Sequence, residues 1–168
     1  QQAIELDDPV IFFEPKRRYH DRMDVDDGAA AAPRGLYDAV VARPGGHVTV
    51  ACYGPMVKTC LAAADAAAEE GKELEVIDLR GLNPLDIGVL GASVEKTGRL
   101  VVVHEASRFM GFGAEIAAQV QERLFYHLEA PVLRVAGYSI PYPMSKLEEH
   151  HLPDLDRVLD SVDRALSF

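Results

Sequence analysis

The sequence contains little cysteine, few basic residues relative to acidic ones, and no long apolar run. Its two cysteines, Cys52 and Cys60, have no other Cys or His at ligand spacing, so we expect buried free thiols and no metal site. The chain has 17 Lys and Arg against 27 Asp and Glu. The resulting net charge of −10 argues against a nucleic-acid-binding protein, because phosphates require basic side chains. The missing apolar run excludes a membrane-spanning helix, and the N-terminal QQAIELDDP lacks the features of a signal peptide, so a cytoplasmic protein is expected.

What is present fits one folded domain with a charged surface. The 168 residues are 48% hydrophobic and 26% charged, which is typical of a globular protein that buries a sizeable core. The excess of acidic residues keeps such a domain soluble and favours a basic protein partner.

The first 46 residues do not have the pattern of an independent domain. Residues 1–6 are typical of the last turns of a helix, and the run PVIFF at 9–13 predicts a short buried strand. One helix end and one strand cannot form a core, so we expect 1–15 to be the tail of a preceding domain. The PVIFF side chains should then be covered by this domain or by a neighbouring chain. Residues 16–46 are charged, then alanine-rich, then rich in Pro and Gly, which predicts an exposed linker.

Residues 47–168 form the predicted domain proper. Four apolar runs predict strands at 48–53, 74–79, 100–103 and 132–136, and each is followed by a segment with apolar residues at helical spacing. Four strands alternating with four helices predict an α/β fold, a doubly wound and mostly parallel sheet with helices on both faces. The proline-broken stretch 137–152 predicts an irregular loop.

The segment 99–120 has the most informative pattern of the chain. Its strand is followed by His104 and Glu105, at the carboxyl edge where open α/β sheets place functional loops, and Gly111 and Gly113 precede a helix. One interpretation is an anion site formed by free amides at the helix start. The favoured interpretation is structural: the glycines let the turn pack closely against a neighbour, and Glu105 caps backbone amides.

Two further groups of polar residues are candidates for binding. Arg80 follows the second strand and is placed to hold a substrate carboxylate, although an ion pair with Asp78 is the favoured interpretation. His150 and His151 are candidate metal ligands, but adjacent residues rarely face one ion, so a solvated loop is favoured. The sequence contains no nucleophile with an adjacent base and no tuned pair of carboxylates, so site chemistry predicts no self-sufficient enzyme.

Seven segments of the chain together resemble one enzyme family. They are IFFEPKRRY, VTVACYG, EVIDLRGLNPLD, KTGRLVVVHEA, GFGAEIAAQVQE, LEAPVLRVAGY and IPYP. Their order and spacing are similar to those of the beta subunit of the decarboxylating component of 2-oxo acid dehydrogenase complexes, over nearly the whole chain. The resemblance implies the last strand of a pyrimidine-binding domain within 1–15, an interdomain linker at 16–46 and a complete transketolase C-terminal domain at 47–168.

The resemblance implies an enzyme that uses thiamine diphosphate and Mg²⁺ to decarboxylate a 2-oxo acid and to transfer the acyl group to lipoyl-lysine. In the family, the glutamate that activates the cofactor and the histidine near the substrate lie in the preceding domain. This chain is therefore expected to hold no catalytic, cofactor-binding or metal-binding residue and to be inactive alone. The segments HEA and LEAP resemble branched-chain members, with pyruvate members as the alternative. The competing hypothesis is a stand-alone flavodoxin-like module that binds a small anion.

The resemblance also implies partners. In the family, this domain belongs to a beta subunit that pairs with a second beta subunit and with an alpha subunit, and it docks the small basic subunit-binding domain of the lipoyl acyltransferase. Glu129, in the LEAP segment, matches the acidic docking position of the family, and the α-carboxylate of Phe168 matches its docking terminus. We therefore expect Glu129 and Phe168 to bind the acyltransferase, and the fragment to form a homodimer. A solvated turn residue and a fraying chain end are the alternative interpretation of these two residues.

Overall fold

The computed structural model describes residues 2–22 and 35–168, and its centre is a five-stranded sheet. The strands are β1 (Val40–Arg43), β2 (Val48–Cys52), β3 (Leu74–Asp78), β4 (Leu100–Ser107) and β5 (Leu133–Gly137). Their order across the sheet is β1-β3-β2-β4-β5, with β1 antiparallel to β3 and the other pairs parallel. The predicted α/β fold with a mostly parallel sheet is confirmed.

Helices cover both faces of this sheet, as the alternating pattern predicted. The described helices are α1 (Gln2–Glu5), α2 (Met56–Glu69), α3 (Ile87–Thr97), α4 (Gly113–Leu124), α5 (Glu148–His151) and α6 (Leu155–Leu166). The helices α2 and α6 pack on one face, whereas α3 and α4 pack on the other, so each face has its own apolar core. Within the described ranges, no helix is both long and apolar enough to cross a membrane.

The central strand β2 is buried over its whole length, because β3 and β4 flank it and helices cover both of its faces. Its polar residue is Thr49, whose hydroxyl lies 2.7 Å from Ser93 Oγ and 2.7 Å from Thr97 Oγ1. These contacts satisfy a hydroxyl that has no access to water. Cys52 and Cys60 are buried free thiols, as predicted.

The predicted linker 16–46 also supplies an edge strand. Within it, β1 pairs with β3 by placing Val40 opposite Asp78 and Val41 opposite Ile77. The pattern did not predict β1, because the strand has only four residues and its two central side chains are exposed. Residues 23–34 of the predicted linker lie outside the described residues.

The prediction of a buried strand at 9–13 is wrong within this chain. These residues have no regular structure, and Ile11, Phe12 and Phe13 are 80%, 70% and 81% exposed. A strand needs a neighbouring strand for its backbone hydrogen bonds, and the described part of the chain places none beside this segment. The predicted helix end at 1–6 is present as α1, and a 3-10 turn at Lys16–Arg18 follows the exposed segment.

The loop predicted at 137–152 is more ordered than its prolines indicate. It contains a 3-10 turn at Ser145–Leu147 and the short helix α5. The hydroxyl of Tyr142 donates to Glu148 Oε1 at 2.6 Å, and Arg17 Nη1 lies 3.7 Å from Glu148 Oε2. These tertiary contacts hold a segment whose local sequence has little regular pattern.

Candidate functional site

The carboxyl half of β4 carries His104, which lies inside the strand opposite Ala136 rather than after it, because β4 is longer than predicted. Its imidazole is fully buried and stacks on the Tyr53 ring, with 6.2 Å between the ring centroids. Among the described residues, neither ring nitrogen has a hydrogen-bond partner of normal geometry. Burial lowers the pKa of His104; the backbone of Ala106 opposes this effect and the charge of Arg134 adds to it.

Gly111 and Gly113 bring the loop after β4 against that ring. A Cβ atom on Gly113 would lie 2.3 Å from His104 Nε2, and one on Gly111 would lie 2.2 Å from the carbonyl oxygen of Ser107. The imidazole therefore packs against both glycines, which leaves no room for a side chain at either position. The interpretation of these glycines as close-packing residues is confirmed.

Glu105 follows His104 and is half-buried. No backbone N–H of the described residues donates to its carboxylate, so the predicted capping role is wrong. Burial raises the pKa of Glu105, while the guanidinium groups of Arg17 and Arg18 oppose that shift. The carboxylate thus lies within electrostatic range of the segment through which the chain enters the domain.

The other sequence candidates are occupied by contacts within the chain. Arg80 Nε lies 3.4 Å from Asp78 Oδ2, which confirms Asp78 as its partner. His150 is exposed, but His151 is buried in α5 against two tyrosine rings, so the predicted solvated loop is wrong for His151. Within residues 2–22 and 35–168, no three His, Cys, Asp or Glu side chains are grouped as a metal site requires.

Arg99, which the pattern did not single out, links the predicted partner-binding residue Glu129 to the helix that precedes the other one, Phe168. Arg99 Nη1 lies 2.6 Å from Glu129 Oε2, and Arg99 Nε donates to the carbonyl oxygen of Ala165 at 3.0 Å. Ala165 is in the last turn of α6, three residues before Phe168, whose side chain is exposed. One guanidinium group therefore joins Glu129 to the helix that leads to Phe168.

A second polar surface lies between β5 and α6, and no sequence spacing indicated it. It is an open cleft of about 390 Å³, which we call the arginine cleft. Four arginines, two aspartates, a serine and a valine border it: Arg108, Arg134, Arg157, Arg164, Asp156, Asp160, Ser161 and Val135. These residues come from three segments that are far apart in sequence, so only the fold brings them together.

The fold is that of a transketolase C-terminal domain, and the chain belongs to this family: the model for "Transketolase, C-terminal domain" matches residues 38–158. The chain is 50% identical to the pyruvate dehydrogenase E1 component subunit beta of Leifsonia xyli, over 100% of this chain and 49% of that protein. It is also 50% identical to the 3-methyl-2-oxobutanoate dehydrogenase subunit beta of Mycobacterium tuberculosis, over 99% of this chain and 47% of that protein. The resemblance to beta subunits of 2-oxo acid dehydrogenases is confirmed.

A solved structure, titled "Split gene transketolase, inactive beta4 tetramer", has the same fold. It matches with a TM-score of 0.72 and 26% identity, over 81% of this chain and 44% of that one. The chain spans about half the length of the curated relatives it matches. Their activities therefore belong to proteins about twice as long.

Proposed function

We propose that this chain is the C-terminal assembly domain of the beta subunit of a branched-chain 2-oxo acid dehydrogenase. The complete enzyme oxidatively decarboxylates a 2-oxo acid and transfers the acyl group to lipoyl-lysine. The domain pairs with a second beta subunit, contacts the alpha subunit and docks the lipoyl acyltransferase. Relatives named for a branched-chain and for a pyruvate enzyme support the reaction class. The same role in a pyruvate dehydrogenase is the alternative, and the 2-oxo acid that the complete enzyme oxidises decides between them.

The observation that carries the docking role is the link through Arg99 between Glu129 and the last turn of α6. The Glu129 side chain remains 63% exposed although it pairs with Arg99, so a basic side chain of a partner can also bind its carboxylate. Phe168 is 68% exposed and follows the bonded helix turn. An exposed acidic group that is joined to the last turn of the C-terminal helix fits a small basic partner domain. The net charge of −10 would speed the encounter with such a partner.

The docking role is tested by measuring the affinity of the subunit-binding domain of the acyltransferase for four forms of the chain. They are the unaltered chain, Glu129→Gln, a form lacking Ser167 and Phe168, and Glu122→Gln. Glu122 is the matched control, because it is an exposed acid on α4 with no ion pair among the described residues. We expect Glu129→Gln and the shortened form to bind more weakly and with a flatter salt dependence, and the control to bind normally. Equal affinity for Glu129→Gln and Glu122→Gln would exclude Glu129 from docking, and full affinity of the shortened form would exclude Phe168.

We further propose that the intact enzyme uses thiamine diphosphate and Mg²⁺, and that this chain alone neither holds the cofactor nor catalyses. Two observations support this proposal. His104 packs against Gly111 and Gly113 in the loop ahead of α4, and residues 2–22 and 35–168 contain no group of metal ligands. Calorimetric titration of the chain with thiamine diphosphate and MgCl₂ should therefore give no more binding heat than titration with inorganic diphosphate and MgCl₂. A micromolar dissociation constant for thiamine diphosphate that inorganic diphosphate does not share would contradict this proposal.

We also propose that the chain pairs with a second copy of itself and works in the cytoplasm. The exposed apolar side chains at 11–13 support pairing, because a hydrophobic patch of this kind favours association. The two free cysteines support a reducing compartment.

A further inference from the structure

The arginine cleft concentrates positive charge on an acidic protein. Four guanidinium groups border it against two carboxylates, which leaves a local excess of two positive charges in a chain whose net charge is −10. Arg108 follows β4, Arg134 lies in β5, and Arg157 and Arg164 lie seven residues apart on α6. A spacing of seven residues puts both α6 arginines on one side of the helix.

Main-chain carbonyls hold three of these arginines in place. Arg108 Nη1 donates to the carbonyl oxygen of Arg134 at 3.1 Å, and Arg134 Nη1 donates to that of Arg108 at 3.1 Å. Arg157 Nη1 donates to the carbonyl oxygen of Leu152 at 3.3 Å, and its guanidinium lies 4.8 Å from the centre of the Tyr138 ring. Each guanidinium has five N–H donors, so these bonds orient the groups and leave donors available.

These contacts do not neutralise the charge. Among the described residues, no carboxylate lies within 4.0 Å of the guanidinium groups of Arg108, Arg134 or Arg157, and that of Arg164 has only Asp160, at 3.8 Å. Five of the other described arginines pair with acids, as Arg99 does with Glu129, whereas the exposed Arg22 and Arg123 have no ion pair among the described residues. Guanidinium groups that the main chain holds in one cleft repel each other, and an anion between them removes that repulsion.

We propose that the arginine cleft is a binding site for a small, multiply charged oxyanion, either a phosphate or a polycarboxylate. The planar fork of a guanidinium matches both oxyanions with two parallel hydrogen bonds. The volume of about 390 Å³ suits a small molecule, and the lining is mostly charged, which excludes an apolar ligand. Asp156 and Asp160 at the border disfavour anions that reach beyond the arginines. The cleft shares none of its lining residues with the Arg99 link, and the proposal does not depend on the dehydrogenase function.

The test is a titration of the ¹⁵N-labelled 168-residue chain with inorganic phosphate and, separately, with citrate, in a low-chloride buffer. We expect saturable shifts of the backbone amides of Arg108, Arg134 and Gly137, and the tighter of the two ligands identifies the oxyanion class. Arg108→Gln and Arg134→Gln should each weaken binding about tenfold, because each removes a charge-assisted hydrogen bond. Arg123→Gln is the matched control, since Arg123 is an exposed arginine on α4 away from the cleft.

Three outcomes would overturn the proposal. The first is no saturable shift with either anion at millimolar concentration. The second is shifts that are spread over the surface and follow ionic strength alone. The third is equal binding by Arg108→Gln and Arg123→Gln. The NMR spectrum of each cleft variant shows whether that variant is folded. If either Arg108→Gln or Arg134→Gln fails to fold, the other variant still tests the proposal.

Discussion

The carboxylate of Asp86 accepts a hydrogen bond from the backbone N–H of Ala39 at 3.0 Å, across 47 positions of sequence. The same side chain caps α3 by accepting from the backbone N–H groups of Gly88 and Val89, each at 3.1 Å. One residue therefore fixes both the start of α3 and the entry of the chain into β1.

Replacing Asp86 should weaken both elements at once. We expect Asp86→Ala to lower the free energy of unfolding by about 2 kcal/mol, since the lost helix cap and the lost hydrogen bond each contribute about 1 kcal/mol. Urea denaturation measures this change. Asp154→Ala is the control, because Asp154 caps α6 through a single hydrogen bond from Arg157 N at 2.8 Å. An equal loss in both variants would mean that the bond to Ala39 contributes nothing.

A methyl group at position 113 should disrupt the packing of the loop against His104. Its Cβ would lie 2.3 Å from His104 Nε2, so we expect Gly113→Ala to cost about 2 kcal/mol of stability through overpacking. Gly46→Ala is the matched control, because no atom lies within 4 Å of a Cβ at that position. Denaturation of the double variant Gly113→Ala with His104→Ala should show a smaller added cost from position 113, since the clashing ring is gone. If the costs of the two substitutions simply add, the destabilisation by Gly113→Ala does not come from its contact with His104.

The buried imidazole of His104 should make stability depend on pH. Burial holds its folded-state pKa below the ordinary value of 6.5, so the unfolded chain binds a proton first as the pH falls. The stability due to the neutral ring is complete above the unfolded pKa and is lost as the pH falls through the folded pKa. We expect His104→Gln to flatten the decline in stability below about pH 6.5. Denaturation from neutral to mildly acidic pH measures the slope, and exposed His150→Gln should leave it unchanged. If His104→Gln does not alter this slope, titratable groups other than His104 cause the loss of stability at acidic pH.

The exposed aromatic residues at the N-terminal end should drive self-association. Phe12 and Phe13 are 70% and 81% exposed, so we expect the chain to sediment as a dimer at micromolar concentration. The double variant Phe12→Ser with Phe13→Ser should sediment as a monomer, whereas Phe125→Ser, which alters a residue that is 55% exposed on another surface, should remain dimeric. A monomeric unaltered chain would refute the pairing proposal.

Continuous apolar segments were predictable, because burial on both faces of a sheet leaves a strong local pattern. The strands predicted at 48–53 and 74–79 correspond to β2 (Val48–Cys52) and β3 (Leu74–Asp78). The close packing around Gly113 was also predictable, since glycines in a turn after a buried strand let the backbone approach its neighbours closely. The identity of its neighbour, His104, was not predictable from the residues alone.

Features that depend on contacts between distant residues could not be predicted. The strand β1 is stabilised by pairing with β3, the burial of His151 depends on tyrosine rings, and Arg99 reaches Ala165 across 66 positions. The segment 9–13 shows the converse. Its apolar pattern predicts burial, yet Ile11, Phe12 and Phe13 remain exposed.

Hydrogen bonds from two arginine side chains occupy backbone carbonyls on the outer edge of β5, the last strand of the sheet. The carbonyl of Gly137 points inward and accepts from Arg108 N at 2.9 Å, so the carbonyls of Arg134 and Ala136 point outward from β5. Arg108 and Arg157 donate to these two carbonyls, so an incoming strand would meet acceptors that are already bonded. On the opposite edge, β1 has four residues and an irregular register. Edges of this kind resist strand-by-strand growth into fibrils, so we expect the proposed pairing of two copies to use side-chain contacts.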